Sequence, residues 1–573
     1  MKTARYLLSS SRSDFPVNPG FRAAGVFLRE AQDGADGGRH KTLPPPPASR
    51  KTSAVKKQFS ATVEPVLSLP LRRYLYFTAA TTGAAIMIVE ILGAKMLSPF
   101  IGLSHFVWTA QIAVTLVALA CGYYAGGRLA DRSQRLARLY WAILGAALYL
   151  AFTVQICEPI AYWCLDFNLA VGSLLASAIL FFVPLALLAM TGPFLVRVIT
   201  SSVAGVGGNV GRLTSIGTLG SLAGTLLIGY LLIPLLPNSL TMYFTALVLM
   251  LVCAGYFLLC RRKGPAAVIL LLALGSALGG KSYLGVTHKY TYVTELFRGN
   301  SHFGVLQVFD RRDGGFRFYL NDGLTQNTYD PDRKLSVSHF TYALSGLART
   351  YTTNINDVLC VGLGVGIVPM DFARQGARVD VVEINPAVVP VGVRFFDLQT
   401  NKLNLTLDDG RHFLNRCRKQ YDTVILDAFL GDSSPSHLLT REAFTSVRRV
   451  LRPGGTLVIN SFGNLDDGKD FFVASLNKTL KAVFRSVRMH TSGDGGIFFV
   501  ASDRATLDFV RPPDLANIHP RVVRDTEDTY RGVVDTVPEH GRVLIDDYNP
   551  AEFYDARNRE DLRRRLAMSA KEM

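Results

Sequence analysis

Residues 357–385 read DVLCVGLGVGIVPMDFARQGARVDVVEIN and decide the fold of the C-terminal half. An apolar run enters a glycine-rich turn, and a second apolar run ends at an acid, Glu383. Gly362, Gly364 and Gly366 are spaced G-x-G-x-G, whereas a dinucleotide site requires its third glycine one residue later. The stretch predicts a strand, a tight turn that holds a nucleoside, and a helix.

Acidic residues follow the next predicted strands at the points where a nucleoside is bound in such folds. Glu383 ends the second strand about twenty residues after the turn, where a carboxylate accepts hydrogen bonds from ribose hydroxyls. Asp409 and Gly410 follow a third short strand, where the aspartate is placed for an adenine amine, and Asp427 ends a fourth strand. Because these strand ends meet at one edge of the sheet, the residues predict a site for an S-adenosylmethionine-type ligand, without a metal.

Strand and helix patterns alternate after Asn356, from VLCVG through VDVVEI and TVILDAF to GTLVINSF. Such alternation predicts a parallel sheet with helices on both faces. Before it, VLQVFDRR and FRFYLNDG have the pattern of a β-hairpin. We therefore expect a small β subdomain over residues 285–350 and a Rossmann-like α/β catalytic domain over 351–573.

The N-terminal half is much more apolar than the rest of the chain. Six apolar runs each approach the ~20 residues that a helix needs to cross a bilayer, and they lie near 74–97, 106–127, 136–156, 169–191, 213–236 and 240–260. A seventh run, 265–284, is short and broken by glycines. These runs predict a transmembrane domain of six or seven helices over residues 71–284, and residues 1–70 are expected to be a disordered tail. Within the fifth run, the Gly220-x-x-x-Gly224 spacing predicts close packing of helices.

The net charge of +16 comes largely from the tail, from short loops between apolar runs and from the C-terminus. No basic helix with interleaved aromatic residues is present, so the charge favours membrane topology over nucleic acid binding. Alternate short loops are rich in arginine, which places the N-terminus in the cytoplasm. Six spans then put the C-terminal domain in the cytoplasm as well, whereas a crossing seventh run puts it outside. The cytoplasmic placement of the C-terminal domain is favoured, because its co-substrate is made in the cytosol and because the seventh run is short and broken by glycines.

Two parts of the sequence resemble known families. The loop GRLADRSQR, residues 127–135, resembles the cytoplasmic loop motif of major-facilitator transporters. Residues 300–555 resemble spermidine synthases and their relatives, the polyamine aminopropyltransferases. The motifs that carry the second resemblance are VLCVGLGVG at 358–366, NDGLTQ at 321–326, YDTVILD at 421–427, LRPGG at 451–455 and DDYNP at 546–550. A membrane domain fused in front of such a domain is similar to a known bacterial arrangement, which implies a multi-pass protein of the bacterial inner membrane.

The second resemblance implies an activity and roles for particular residues. In that family an aminopropyl group passes from decarboxylated S-adenosylmethionine to a small cationic amine, putrescine. Asp427 then corresponds to the base, Gln326 to a co-substrate residue, and Asp322 and Asp432 to residues on the acceptor side. The resemblance also implies a homodimer.

Several departures from the family pattern keep other functions open. Val365 occupies the position of the family's acid between the second and third glycines, which is expected to hold the aminopropyl amine. The family's Y-H-E is replaced by residues near Leu335, and its second acid after Asp427 is displaced to Asp432. One alternative is a methyltransferase, or another transferase that uses S-adenosylmethionine itself, acting on an acceptor delivered by the membrane. The other is a transporter-like protein with a nucleoside-sensing domain.

Overall fold

The computed structural model of the protein describes residues 68–102, 105–200, 205–285, 292–429, 435–493, 495–534, 540–551 and 553–554. The predicted tail, residues 1–70, lies outside them except for its last three residues, and Asp432 also lies outside them.

Apolar helices make up the first part of the described chain. They are α1 (Leu69–Ile101), α2 (His105–Arg132), α3 (Leu136–Cys164), α4 (Leu169–Ser177), α5 (Val183–Ala189), α6 (Thr191–Ile199), α7 (Val206–Leu227), α8 (Ile233–Leu235), α9 (Asn238–Leu259) and α10 (Lys263–Gly285). Two π-helical turns, Ala178–Phe182 and Ile228–Leu232, join α4 to α5 and α7 to α8. Pro184 and Pro234 follow these turns, and a proline without an N–H frees a carbonyl of the preceding turn.

Among the described residues, seven helical segments are long and apolar enough to cross a membrane. Six correspond to the six predicted runs, and the seventh, Lys263–Lys281, corresponds to the run described above as short and broken. The seventh is one continuous helix, and its late glycines, Gly279 and Gly280, lie against aromatic and aliphatic side chains of α9. A Cβ atom built on Gly280 lies 3.3 Å from Leu240 Cδ1, and one on Gly279 lies 3.8 Å from Tyr243 Cε1.

The predicted close packing around Gly220 and Gly224 is confirmed. A Cβ atom on Gly220 would lie 2.1 Å from the backbone oxygen of Ala80, and one on Gly224 would lie 2.5 Å from that of Ala84. Glycine at these two positions lets α7 approach the backbone of α1, which larger side chains prevent.

A five-stranded antiparallel sheet follows the helices. Its strands are β1 (Val293–Ser301), β2 (Gly304–Arg311), β3 (Arg317–Asn321), β4 (Leu324–Asp330) and β5 (Leu335–Ser336), which pair in chain order. Strands β2 and β3 form the predicted hairpin.

The predicted α/β fold is also confirmed. Its strands are β6 (Asp357–Val361), β7 (Arg378–Glu383), β8 (Asn404–Leu407), β9 (Tyr421–Leu426), β10 (Leu451–Phe462), β11 (Ser486–Thr491) and β12 (Gly496–Ser502). Its helices are α11 (His339–Tyr351), α12 (Ile367–Arg374), α13 (Val388–Phe395), α14 (Gly410–Arg416), α15 (Arg441–Val450), α16 (Phe471–Lys481) and α17 (Val523–Arg531). The strand order is β11-β12-β10-β9-β6-β7-β8, and alternate residues of β6 pack into separate apolar clusters on the two faces.

The sheet differs from the predicted parallel pattern at one edge. Strands β6 to β10 pair in parallel, whereas β12 pairs antiparallel with both β10 and β11. Only four residues, 492–495, separate β11 from β12. A connection that short permits a hairpin but not the crossover that parallel strands require.

Candidate nucleoside-binding and catalytic site

A cavity of about 340 Å³ opens at the carboxyl edge of the large sheet. The chain leaves β6 towards β7 and β8, and it later returns through β9 and β10 on the other side of β6. Ligands in open α/β sheets bind at this reversal of strand order. Of the residues predicted for the site, the cavity is lined by Gly362, Gly364, Glu383, Asp409, Gly410, Asp427 and Gln326. Gly366 is outside the lining but caps the helix behind it.

The glycine turn brings the ends of β6 and β9 together. Gly362 has φ +103°, and a Cβ atom there would lie 2.2 Å from the backbone oxygen of Asp427. Gly366 has φ +91° and begins α12, where a Cβ would lie 2.6 Å from Leu398 Cδ1. Both positions therefore require glycine for conformation and for space. Gly364 has φ +53° but no atom within 4 Å of a built Cβ, so its side opens to the cavity.

Glu383 is buried at the end of β7 and is held by the backbone. Its Oε2 accepts a hydrogen bond from the N–H of Leu363 at 2.9 Å, and its Oε1 accepts one from the N–H of Asn385 at 2.7 Å. Burial raises the pKa of this carboxyl, and the backbone donors oppose that shift. Each carboxylate oxygen keeps a further acceptor position, so the residue can receive ribose hydroxyls without losing its supports.

Asp409 begins α14 on the adjacent wall. Its Oδ1 caps the helix by accepting from the N–H of His412 at 2.9 Å, and its Oδ2 lies 3.1 Å from Nε2 of His437. Behind it, a Cβ on Gly410 would lie 2.6 Å from Val361 Cγ1. The close approach of Gly410 to β6 holds the aspartate at the cavity edge.

Asp427 lies at the end of β9 and lines the cavity as a partly buried side chain. Its Oδ1 accepts a hydrogen bond from Nδ2 of Asn460 at 2.9 Å. Desolvation raises the pKa of Asp427 to about 6, and the hydrogen bond from Asn460 acts in the opposite direction. A carboxyl with a pKa near the working pH is suited to proton transfer.

The β3–β4 hairpin supplies the wall opposite the glycine turn. Gln326 and Asn321 line the cavity, as the hairpin motif predicts for Gln326. Asp322 differs from its predicted acceptor-side role, because it has φ +48° and its Oδ1 accepts from the N–H of Val305 at 2.8 Å. Its carboxylate supports the β2–β3 pairing, and Asn321 takes the cavity position.

Val365 lies on the cavity wall and is 1% exposed. Among the described lining residues, the acidic side chains are Glu383, Asp409 and Asp427, and lysine and arginine are absent. Three acids without a basic counterpart favour a cationic ligand. Among all the residues that the structure describes, no group of three or more His, Cys, Asp or Glu side chains is placed to hold a metal ion.

Several lining residues were not found by sequence reasoning. They are Asn460 and His437, together with the aromatic side chains of Phe303, Tyr319, Phe340, Phe429 and Phe462. Asn460 lies near the end of β10, so the strand-end rule that identified Asp427 was the available signal. The aromatic residues come from separate loops and strands, and no local pattern marks them. Their faces are suited to an organic cation.

The sheet order, the glycine turn and the strand-end acids define a class I S-adenosylmethionine-dependent transferase fold. Within it, residues 339–493 match the model of the spermine/spermidine synthase domain family. The C-terminal part of the chain therefore contains a spermidine-synthase domain. Proteins of that family are transferases whose co-substrate derives from S-adenosylmethionine.

Three curated proteins show the range of the similarity. A polyamine aminopropyltransferase of Vibrio vulnificus is 32% identical over 140 residues, which are 23% of this chain and 46% of that protein. Spermidine synthase 2 of Arabidopsis thaliana is 27% identical over 249 residues, 40% of this chain and 70% of that protein. An N-terminal histidine N-methyltransferase of Emericella nidulans is 30% identical over 140 residues, 23% of this chain and 24% of that protein. The chain thus spans less than half the length of the first and third of these relatives.

Proposed function

We propose that this chain is a membrane-anchored transferase of the spermidine-synthase type. It moves an aminopropyl group from decarboxylated S-adenosylmethionine to an amine such as putrescine. The observation that carries the proposal is the convergence of three strand-end acids, Glu383, Asp409 and Asp427, with the glycine turn in one cavity. That cavity offers acceptors for a nucleoside and negative charge for two cations.

The chemistry assigns a distinct task to each acid. Glu383 binds the ribose hydroxyls and Asp409 orients the adenine. Asp427 takes a proton from the acceptor ammonium, because a nitrogen without a lone pair cannot attack carbon. The freed nitrogen forms a bond to the carbon beside the sulfonium while the carbon–sulfur bond breaks. The electron pair of that bond returns to sulfur, and neutral methylthioadenosine leaves.

A direct test uses the full chain purified in detergent, with decarboxylated S-adenosylmethionine and putrescine. We expect equal amounts of methylthioadenosine and spermidine. The reaction is followed by mass spectrometry, with the Asp427→Asn variant as the matched control. If neither product exceeds the amount formed by that variant, aminopropyl transfer is excluded.

Methyl transfer from S-adenosylmethionine is the second candidate, and Val365 favours it. The cavity has no acid at the position that is expected to hold an aminopropyl amine, and four curated relatives are methyltransferases. The same purified protein is incubated with S-adenosylmethionine and putrescine. Formation of S-adenosylhomocysteine with a methylated amine, and no methylthioadenosine from the decarboxylated donor, places this candidate first.

The helical part supports the proposed anchoring in a lipid bilayer through its seven long apolar segments. Carbonate extraction of membranes tests it, because an anchored protein stays in the pellet. The homodimer that the family resemblance implies is tested by light scattering of the purified protein. The major-facilitator-like loop, residues 127–135, suggests the ancestry of the helices and assigns no cargo.

A further inference from the structure

The C-terminal domain contacts the helical part at a few defined places. Asn300, in β1, donates from Nδ2 to the backbone oxygen of Leu236 at 2.5 Å, just after α8. A Cβ atom on Gly323, in the β3–β4 turn, would lie 3.5 Å from Cβ of Pro99, near the end of α1. The ring of Phe553 lies 6.4 Å from that of Phe106, at the start of α2. These contacts involve three different helices.

The three contacted helix ends lie on one side of the helical part. Nδ2 of Asn238, at the start of α9, lies 3.4 Å from the backbone oxygen of Lys95 in α1. The start of α9 and the end of α1 are therefore neighbours. Gly280, late in α10, lies against Leu240, early in α9. Helices α9 and α10 are thus antiparallel, and α10 returns the chain to the side where the C-terminal domain begins.

Positive charge is concentrated at the opposite ends of the helices. The basic residues there are Arg72, Arg73, Arg128, Arg132, Arg135, Arg138, Arg197, Arg212, Arg261, Arg262 and Lys263. At the contacted ends, the described helices carry Lys95 and Lys281. Short loops rich in lysine and arginine remain on the cytoplasmic side of a membrane.

We propose that the C-terminal domain and its cavity lie on the side of the membrane opposite the basic loops, and that both co-substrates are taken from that compartment. The proposal rests on the membrane-anchored transferase inferred above. This placement differs from the cytoplasmic one expected from sequence. That expectation assumed that the seventh apolar run does not cross the membrane. The structure supports a crossing by α10, since that helix is continuous and antiparallel to α9.

This sidedness implies a step that precedes the reaction. A sulfonium nucleoside made in the cytosol carries permanent charge and does not cross a bilayer unaided. A transmembrane transfer of the nucleoside must therefore supply the domain. The acceptor is then an amine of the outer compartment, and spermidine-type product appears there directly.

Single-cysteine labelling tests the sidedness without reference to activity. The exposed or partly exposed native thiols, Cys121, Cys260 and Cys417, are replaced by serine. Two reporters are made in that background. Arg524→Cys lies on α17 of the C-terminal domain, and Gln134→Cys lies in the basic loop after α2; both positions are exposed. Right-side-out membrane vesicles are treated with a membrane-impermeant maleimide before and after permeabilisation.

We expect full labelling of Arg524→Cys in sealed vesicles and at least a tenfold increase for Gln134→Cys after permeabilisation. Protection of Arg524→Cys until permeabilisation, which six crossing helices predict, overturns the proposal and leaves the anchored transferase in place. If both reporters label equally in sealed vesicles, the C-terminal domain and the basic loop share one compartment, and the proposal is overturned. Carbonate extraction still decides the anchoring.

Turnover in sealed vesicles gives a second, independent measurement. Decarboxylated S-adenosylmethionine and putrescine are added outside, and methylthioadenosine is compared before and after permeabilisation. We expect a ratio near one. A rise of tenfold or more on permeabilisation overturns the outward placement. Absence of turnover in both states, and in detergent, refutes the proposed chemistry, while the labelling result still decides the sidedness.

Discussion

Replacement of Asp427 by asparagine is the sharpest test of the site, because it is expected to remove activity and to stabilise the protein at once. Asparagine has nearly the same shape, and its oxygen can still accept from Nδ2 of Asn460. It cannot take a proton from the acceptor. Loss of a general base typically lowers turnover by about 10²–10⁴-fold, so we expect a fall in kcat of that size with little change in donor affinity.

The stability change follows from the pKa of Asp427, which burial raises from 3.8 to about 6. A shift of roughly two units corresponds to about 3 kcal/mol at most. Since the native-state pKa lies above the unfolded-state value, this stability is present below pH 4 and is lost as the pH rises through 6. Above pH 6 the wild-type domain bears the cost of a partly desolvated carboxylate. The variant avoids that cost, and we expect its Tm to rise by roughly 5 °C at pH 8.

The assay combines product formation with thermal unfolding at pH 5 and pH 8. The gain in Tm should be smaller at pH 5, and wild-type kcat/KM should fall as the pH drops below about 6. Asp466→Asn, an exposed carboxylate outside the cavity, controls for the loss of one charge. If Asp427→Asn keeps turnover within a factor of three of wild type, Asp427 is not the base. If its Tm is unchanged at pH 8, the carboxyl is not desolvated.

Three further outcomes are expected. Gly362→Ala should lower Tm by far more than the matched Gly364→Ala, because only the former places a Cβ against the backbone of Asp427; similar shifts in thermal unfolding would contradict this. Glu383→Gln should weaken nucleoside binding by about 10–100-fold, which corresponds to the loss of one charged hydrogen bond. Calorimetry with methylthioadenosine measures this affinity, and an unchanged value would contradict the role of Glu383 in ribose binding. Asp357 is buried between Arg378 and Arg452, which hold its pKa well below the usual range. Asp357→Asn should therefore lower the free energy of unfolding by about 3–5 kcal/mol at pH 7, and by less as the pH falls below 4. A Tm loss that does not shrink in acid would refute the ion-pair account.

The sequence predicted the parts of the site that local patterns encode. The glycine turn and Glu383 follow from strand, turn and strand in one continuous stretch, and Asp427 follows from the same strand-end rule. The sequence did not predict where the side chain of Asp322 points. Its motif suggested the cavity, but the left-handed backbone at that residue turns its carboxylate towards Val305. Asn460 and His437 meet the acids only through tertiary folding, so a single sequence carries little signal for them.

The helical part shows a different limit of sequence reasoning. Glycines in the run 265–284 suggested a broken span, since glycine weakens an isolated helix. Helix α10 is nevertheless continuous, because Gly279 and Gly280 fit against Tyr243 and Leu240 of its neighbour. In α10, as at Gly220 in α7, small residues form a face that packs against a neighbouring helix. Hydropathy alone does not distinguish a glycine that breaks a helix from a glycine that allows close packing.

The β3–β4 turn lies between the end of α1 on one side and the candidate cavity on the other. A Cβ atom built on Gly323 would lie 3.5 Å from Pro99, and the nearby residues Asn321 and Leu324 form part of the cavity wall. In the proposed bilayer, α1 tilts to match the hydrocarbon thickness, so its end shifts when acyl chains lengthen or shorten. For the proposed anchored protein we therefore expect the cavity wall to respond to lipid composition. Turnover after reconstitution into bilayers of graded acyl length would reveal an optimum thickness, and a flat response would show that the turn yields without moving the wall.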